Sequence, residues 1–201
     1  MKLIIIRHAE TIENKQHIRM GQTDGKLTNE GIEQAQKLSN RLRNEKLDHI
    51  YCSDLGRTKE TISGIIHDHP QTPIVYERLL REQAHGIYEG LPRKKLIQDR
   101  DKSGISVAKF KTDGGENLHD ITRRVRKFFN LLQANHANDE TILICTHGGW
   151  QCAMISHLLN IPFKEELFQF RFSNTSVTIL NYQKVGPNEF EMINCTKHLE
   201  S

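Results

Sequence analysis

The sequence predicts an α/β fold built on a mostly parallel sheet with helices on both faces. Three observations carry that expectation. Short apolar runs alternate with longer amphipathic stretches along most of the chain, the pattern of strands separated by helices. The first run, Lys2 to Ile6, is continuously apolar after its lysine, as a strand covered on both faces must be. The residues best suited to chemistry stand directly after the apolar runs, where an open α/β sheet puts its ligand.

The elements follow in order. Lys2 to Ile6 is the first strand. Thr28 to Asn44 is a helix, with Ala35, Leu38 and Leu42 at helical spacing behind a threonine cap. Leu47 to Cys52 is the second strand, and Gly56 to His67 a helix that ends before Pro70. Ile74 to Tyr76 is a short strand. Glu116 to Asn135 is a long amphipathic helix with Ile121, Val125, Phe128, Leu131 and Leu132 on one face. Thr141 to Cys145 is a strand, followed by a helix from Trp150 to Leu159 that stops at Asn160 and Pro162. Ser176 to Tyr182 and Glu189 to Asn194 are closing strands joined by a turn around Gly186, Pro187 and Asn188. Pro92 to Lys111 fits the alternation poorly and is strongly basic, which suggests an inserted lid, about 91–113, over the ligand end of the sheet.

With 201 residues the chain suits one domain, 1–201, better than two. Its net charge of +3 is small and its charges are interspersed, so nucleic acid is not the expected partner. No apolar run approaches membrane-spanning length. The run Leu3 to Ile6 is too short for a signal peptide, and a cytoplasmic protein with no membrane partner is expected. Cys52, Cys145, Cys152 and Cys195 form no CxxC pair and no zinc-ligand spacing. They read as small buried thiols of a reducing compartment.

Arg7 and His8 follow the first strand. A neighbouring cation disfavours protonation of an imidazole, and a neutral imidazole beside a guanidinium suits attack on a bound anion. The same dipeptide also reads as a solvated cap. Arg57 falls in the first turn of its helix, where the dipole disfavours a cation unless an anion is held there. The bland alternative folds Arg57 back onto Asp54. His147, Gly148 and Gly149 follow a third strand and enter a helix, and glycines let backbone approach a ligand closely. Glu82 lies in the irregular stretch Leu79 to Gly86. A carboxylate there could serve as a general acid with a raised pKa, or be a surface charge. Together these residues specify a phosphate dianion and a nitrogen nucleophile. There is no G-x-S-x-G elbow and no P-loop lysine.

The ordered set closely resembles the histidine phosphatase superfamily, the phosphoglycerate mutase-like proteins. The family's R-H-G-E-[ST] stands here as Arg7 to Thr11, with Asn14 at the family's spacing. Its L-[TS]-x-x-G-x-x-Q-A motif is Leu27 to Ala35, its S-D-L-x-R motif begins at Ser53, and its L-x-E…G-x-[WY]-E-G motif is Leu80 to Gly90. Its G-G-E-[SN] motif is Gly114 to Asn117, with Arg123 or Arg124 downstream, and its [ST]-H-G-G motif is Thr146 to Gly149. The resemblance implies a phosphohistidine on His8 and a phosphate pocket of Arg7, Arg57 and His147. It makes Glu82 the proton donor and later the base, with Asn14 and the Gly148 backbone as auxiliary phosphate contacts. It implies no metal and no cofactor. Ala9 replaces the family's usual glycine, and Met20 and Trp150 stand where smaller or polar residues are common, which bears on substrate identity.

The function so implied is a phosphomonoesterase acting on small phosphorylated metabolites, of the small bacterial type, with a homodimer compatible with that reading. Two alternatives stand beside it. One is a cofactor-dependent phosphoglycerate mutase, disfavoured by the short stretch between Gly90 and Gly114, which lacks adjacent arginines. The other is a phosphate-ligand binding protein on a catalytically dead frame, disfavoured by the presence of all five core residues.

Overall fold

A computed structural model describes residues 1–161 and 172–200. Pro162, which the sequence reading uses to stop a helix, lies outside the described residues. The six strands are β1 (Lys2–Arg7), β2 (His49–Cys52), β3 (Ile74–Tyr76), β4 (Thr141–Thr146), β5 (Val177–Asn181) and β6 (Glu189–Cys195). They form one sheet in the order β3-β2-β4-β1-β5-β6. The pairs β2·β3, β2·β4 and β1·β4 are parallel, while β5 and β6 close the sheet antiparallel.

The continuous apolar run of β1 divides between two cores, because successive side chains of a strand face opposite ways. Leu3 and Ile5 pack with helices α6 (Leu118–Asn135) and α7 (Gly148–Leu158). Ile4 and Ile6 pack with Leu38 and Leu42 of α2 (Asn29–Leu42) and with Ile62 and Ile65, at and within α4 (Ser63–Asp68). Both faces are covered, and all four residues are fully buried.

Several boundaries differ from the sequence reading for identifiable reasons. The helix expected over Gly56 to His67 is two helices, α3 (Gly56–Thr61) and α4, because Ile62 between them leaves helical geometry. Within α3 the Thr58 and Thr61 hydroxyls donate to the carbonyls of Leu55 and Arg57, back-bonding that bends short helices. The long helix starts at Leu118, not Glu116, since Asn117 and Asp120 form a capping box at its start. Helix α7 starts at Gly148, two residues before Trp150, with His147 at its N-cap. Among the described residues two α-helices lie outside the expected elements: α1 (Ile12–Lys15), and α5 (Arg93–Ser103) within the lid segment. Helix α5 buries only Leu96 and ends at Gly104, whose φ of 65° is left-handed. A helix with so little apolar face gives sequence periodicity nothing to register.

Candidate active site

The sheet order creates the site. Strand β1 leads toward α2 on one face, and its neighbour β4 leads into α7 on the other. Connections that diverge from adjacent parallel strands open a crevice at their carboxyl ends. His8 is the first residue after β1, and His147 the first after β4. Their rings stand 5.2 Å apart, centroid to centroid.

His8 is almost fully buried, and its Nδ1–H donates to the Ala9 carbonyl at 2.8 Å. A carbonyl can only accept, so the proton sits on Nδ1 and Nε2 keeps a lone pair. Burial first, and then the guanidinium groups of Arg57 and Arg7, push its pKa well below the ordinary histidine value. The ring is therefore neutral at physiological pH. His147 is also buried, and its Nε2 meets the Ser53 hydroxyl at 2.9 Å. Its buried Nδ1 has no protein partner. Burial, Arg57, His8 and Arg7 in that order hold its pKa far down as well.

Both motif arginines reach the site from its walls. Arg7 donates to the Phe172 carbonyl at 2.5 Å, and burial lowers its pKa to about 10. Arg57 does not fold onto Asp54. It donates to the carbonyls of Thr23 and Gly21 at 2.6 and 2.9 Å. Asp54 is occupied by Arg81, two nitrogens of which meet its two oxygens at 2.6 Å. The Nε atoms of Arg7 and Arg57 are buried without a protein partner. Two buried cations held mainly by backbone carbonyls leave a strong positive field for an anion to neutralise.

Glu82 faces the same space. Its oxygens accept the backbone N–H groups of Gln83 at 2.9 Å and Gly149 at 3.0 Å. A β-carbon on residue 149 would fall 2.3 Å from a Glu82 oxygen, so this approach needs glycine. The backbone behind Glu82 is clamped by Arg124, which donates to the carbonyls of Leu79, Arg81 and Glu82 and pairs with both oxygens of Glu116. Trp150 adds a bond from its indole N–H to the Leu79 carbonyl at 2.9 Å. It is fully buried, stacked on Phe129, and lines neither the pit beside His8 nor the wider space around it. The expectation that Trp150 bears on substrate identity therefore gives way to a role in seating the Glu82 segment. Met20 does line the cavity. Glu10 turns away and accepts the Thr28 hydroxyl at the cap of α2. Gly31 of α2 lets that helix press against the Glu10 backbone, 2.1 Å from where a β-carbon would sit.

A small polar cavity of about 50 Å³ is lined by Arg7, His8, Asn14, Arg57 and Glu82, together with Arg19, His85 and Arg93. Asn14 accepts from the Thr11 N–H and from Asn174 through its oxygen. The pit opens into a wider cavity of about 670 Å³, which Gly148 also lines. Helix α5 and the segment after it form one wall, through Arg93, Leu96, Ile97, Arg100, Val107 and Phe110. The structure thus brings every expected site residue to the pit or its margin, with His147 buried behind His8.

Arg19 and His85 are not among the expected site residues, and Arg93 is expected only as part of the basic lid segment. Arg19 is close to His85, Nη1 to Nε2 3.4 Å. Burial brings Arg19 to about 10, and burial together with Arg19 brings His85 to about 3. Arg19 and Arg93 follow no strand, so strand-end logic could not find them. His85 stood in view, three residues after Glu82. Lys94 and Lys95 are exposed, and Lys95 pairs with Asp99 at 2.7 Å.

The model of the "Histidine phosphatase superfamily (branch 1)" matches residues 3–196. The Schizosaccharomyces pombe protein described as "Probable phosphatase C1687.21" is 31% identical, over 100% of this chain and 96% of its own. A Yersinia pestis protein described as "Probable phosphoglycerate mutase GpmB" is 30% identical, over 92% of this chain and 86% of its own. Among solved structures, Bacillus stearothermophilus YhfR superposes with a TM-score of 0.86 at 26% identity, covering 98% of both chains.

Proposed function

The chain belongs to the histidine phosphatase superfamily, and from that premise we propose that it hydrolyses phosphomonoesters of small metabolites through a phosphohistidine on His8. One observation carries the reading: His8 is a buried, neutral imidazole whose Nδ1 proton is tied to Ala9, which leaves the Nε2 lone pair free beside two guanidinium groups. In the first step Nε2 attacks phosphorus and the bond to the leaving oxygen breaks. Glu82, as the carboxylic acid, gives that oxygen its proton. The phosphorylated ring keeps its Nδ1–H, and the Ala9 carbonyl stabilises the charge that develops there. In the second step Glu82, now the carboxylate, takes a proton from water as the water attacks phosphorus. The P–N bond breaks, inorganic phosphate leaves and His8 returns to neutrality. Arg7, Arg57 and His147 hold the phosphoryl oxygens, with Asn14 and the Gly148 backbone beside them.

The wide cavity favours hydrolysis over a mutase cycle, because a mutase must keep water from its phosphoenzyme and about 670 Å³ of open space admits it. Its wall mixes the guanidinium groups of Arg93 and Arg100 with apolar side chains, which suits a phosphoester carrying a second anionic group on a partly apolar body. The test is a panel of phosphorylated metabolites in which free phosphate and isomerised product are both assayed. Phosphate release is expected, with acid-labile phosphate trapped on the protein by rapid quench and lost in His8→Ala. Removing a covalent nucleophile should cost on the order of several kcal/mol of transition-state stabilisation. Dominant isomerisation would establish the mutase instead, and turnover by His8→Ala near the wild-type rate would remove the mechanism.

A further inference from the structure

We propose that His49, His136 and Glu140 form a binding site for a divalent transition-metal ion of the Zn²⁺ class, at the end of the sheet opposite the phosphate pit. His49 opens β2, Glu140 immediately precedes β4, and His136 caps the C-terminal end of α6. The amino ends of two adjacent parallel strands and the end of a helix thus bring two imidazoles and a carboxylate together. One ligand atom from each lies within 4.8 Å of the other two. Glu140 Oε2 is 2.6 Å from His136 Nδ1 and 3.9 Å from His49 Nε2, and the two imidazole centroids are 4.5 Å apart.

Two imidazoles and one carboxylate are a zinc ligand set, with bonds of about 2.0–2.2 Å and a remaining position for water. Ligand atoms around such an ion stand roughly 3.0–3.5 Å apart. The 2.6 Å contact must open and the 3.9 Å contact close, each by less than about an ångström. His49 and Glu140 can make that adjustment, because their side chains are 34% and 26% exposed. That exposure also leaves the open side of the ion to water.

The surroundings are those a metal site requires. His136 Nε2 meets the Tyr51 hydroxyl at 2.8 Å, and Glu140 Oε1 accepts the Ala137 N–H at 3.2 Å. Metal-bound histidines are held by such outer partners. In the bound form the ion stands on His136 Nδ1 in place of the contact with Glu140, and the ring's N–H lies on Nε2, where the Tyr51 oxygen accepts it. Lys184 donates to the His136 carbonyl at 2.7 Å and not to the ligand atoms.

Tag-free protein, stripped with a chelator and dialysed, is titrated with Zn²⁺ by calorimetry and with Co²⁺ by visible absorption. The expected result is one ion per chain, Co²⁺ bands of a four- or five-coordinate site, and a higher Tm with Zn²⁺. His49→Ala and Glu140→Gln should each weaken binding at least tenfold while leaving phosphatase turnover at the wild-type rate. Both side chains are partly exposed, so the variants should fold, and Tm in chelator checks that they do. Absence of stoichiometric binding, or binding that both substitutions leave intact, would overturn the proposal. The second outcome would place the ion at other histidines, His8 and His147 first.

Discussion

Glu82 and His85 show how a few atoms settle what a residue can do. Glu82 accepts one amide hydrogen on each of its two oxygens; glutamine keeps the shape and one of those bonds, turns an NH2 toward the other amide, and cannot supply the transferable proton. An alkyl phosphate needs a proton on its leaving oxygen, whereas a nitrophenyl phosphate leaves as a stable anion. Glu82→Gln should therefore slow phosphoryl transfer from an alkyl ester by about 10²–10⁴-fold, and from the aryl ester far less, as read by rapid quench. Equal losses on the two substrates would reduce Glu82 to a positioning residue. His85 offers a stability test. Its folded pKa of about 3 lies below the unfolded value of about 6.5. Between those values the unfolded chain binds a proton that the native chain refuses, so stability falls as pH drops. His85 alone should cost roughly 1.5 kcal/mol between pH 6.5 and pH 5. Urea unfolding at the two pH values should show a smaller loss in His85→Asn than in the wild type, and parallel losses would contradict the shift. The residues legible in the sequence were those beside strand ends: His8, Arg57 and His147 sit where β-strand logic points. Arg19 was illegible because it reaches the pit from a loop, and Arg93 was legible only as one charge of the basic lid segment, since folding decides which of those charges enters the pit.

At the scale of elements, α5 and the Glu82 segment differ in how much of them the sequence discloses. The basic run after Pro92 announces a lid, but not which basic residues face inward. Lys94 and Lys95 are the adjacent pair of lysines in that run. The helix instead turns Arg93, Leu96, Ile97 and Arg100 to the cavity, at spacings of three and four residues, and leaves Lys94 and Lys95 outside. Replacing Arg93 and Arg100 together by glutamine should raise KM about tenfold or more for phosphoesters with a second anionic group, as expected for loss of a charge-assisted bond. Lys94→Gln with Lys95→Gln should leave KM within about twofold of wild type, since exposed charges act only through a screened field. If the lysine pair matters as much as the arginine pair, the wall acts by general field alone. The Glu82 segment has only two single turns of 3-10 helix, Arg78–Leu80 and Gly86–Tyr88, on either side of Glu82, so its order depends on partners distant in sequence. Arg124 of α6 supplies three donors to its carbonyls. No local signal in residues 78–90 reveals that dependence. Arg124→Met should lower stability by about 1–3 kcal/mol by leaving the Arg81 carbonyl and Glu116 Oε1 without their donor, measured by urea unfolding, and should lower kcat more than it raises KM.

Over the whole molecule, the sheet separates two chemistries by the direction of its strands. The carboxyl ends of β1, β2 and β4 present the histidines and arginines of the pit, while the amino ends of β2 and β4 present His49 and Glu140. About 13 Å of strand lies between His49 and Ser53 at the usual rise per residue. That polarity was foreseeable from the alternation of strands and helices. The strand order was not, because the insertion of β4 between β1 and β2 is fixed by which faces α2 and α6 cover, and short apolar runs do not encode that. The order matters because it sets His8 and His147 side by side. In the proposed reaction it also sets how the transferring phosphoryl is stabilised. Four guanidinium groups, from Arg7, Arg19, Arg57 and Arg93, line a cavity of about 50 Å³, and their protons can take up the charge spread over the phosphoryl oxygens. Arg57 is buried and Arg7 largely so, and their guanidinium groups, held by backbone carbonyls, are already oriented for that charge, so no ion has to enter with the substrate. Exhaustive chelation should therefore leave kcat and kcat/KM within about twofold of the untreated protein, since a twofold change corresponds to only about 0.4 kcal/mol. A metal at the opposite end of the sheet would stabilise the fold by binding only the native chain, so chelation would lower Tm without slowing turnover. Activity lost on chelation and restored by a divalent ion would mean that the arginines of the pit do not suffice. Loss of activity tracking loss of Tm at the assay temperature would mean instead that the two ends of the sheet are coupled through the strands between them.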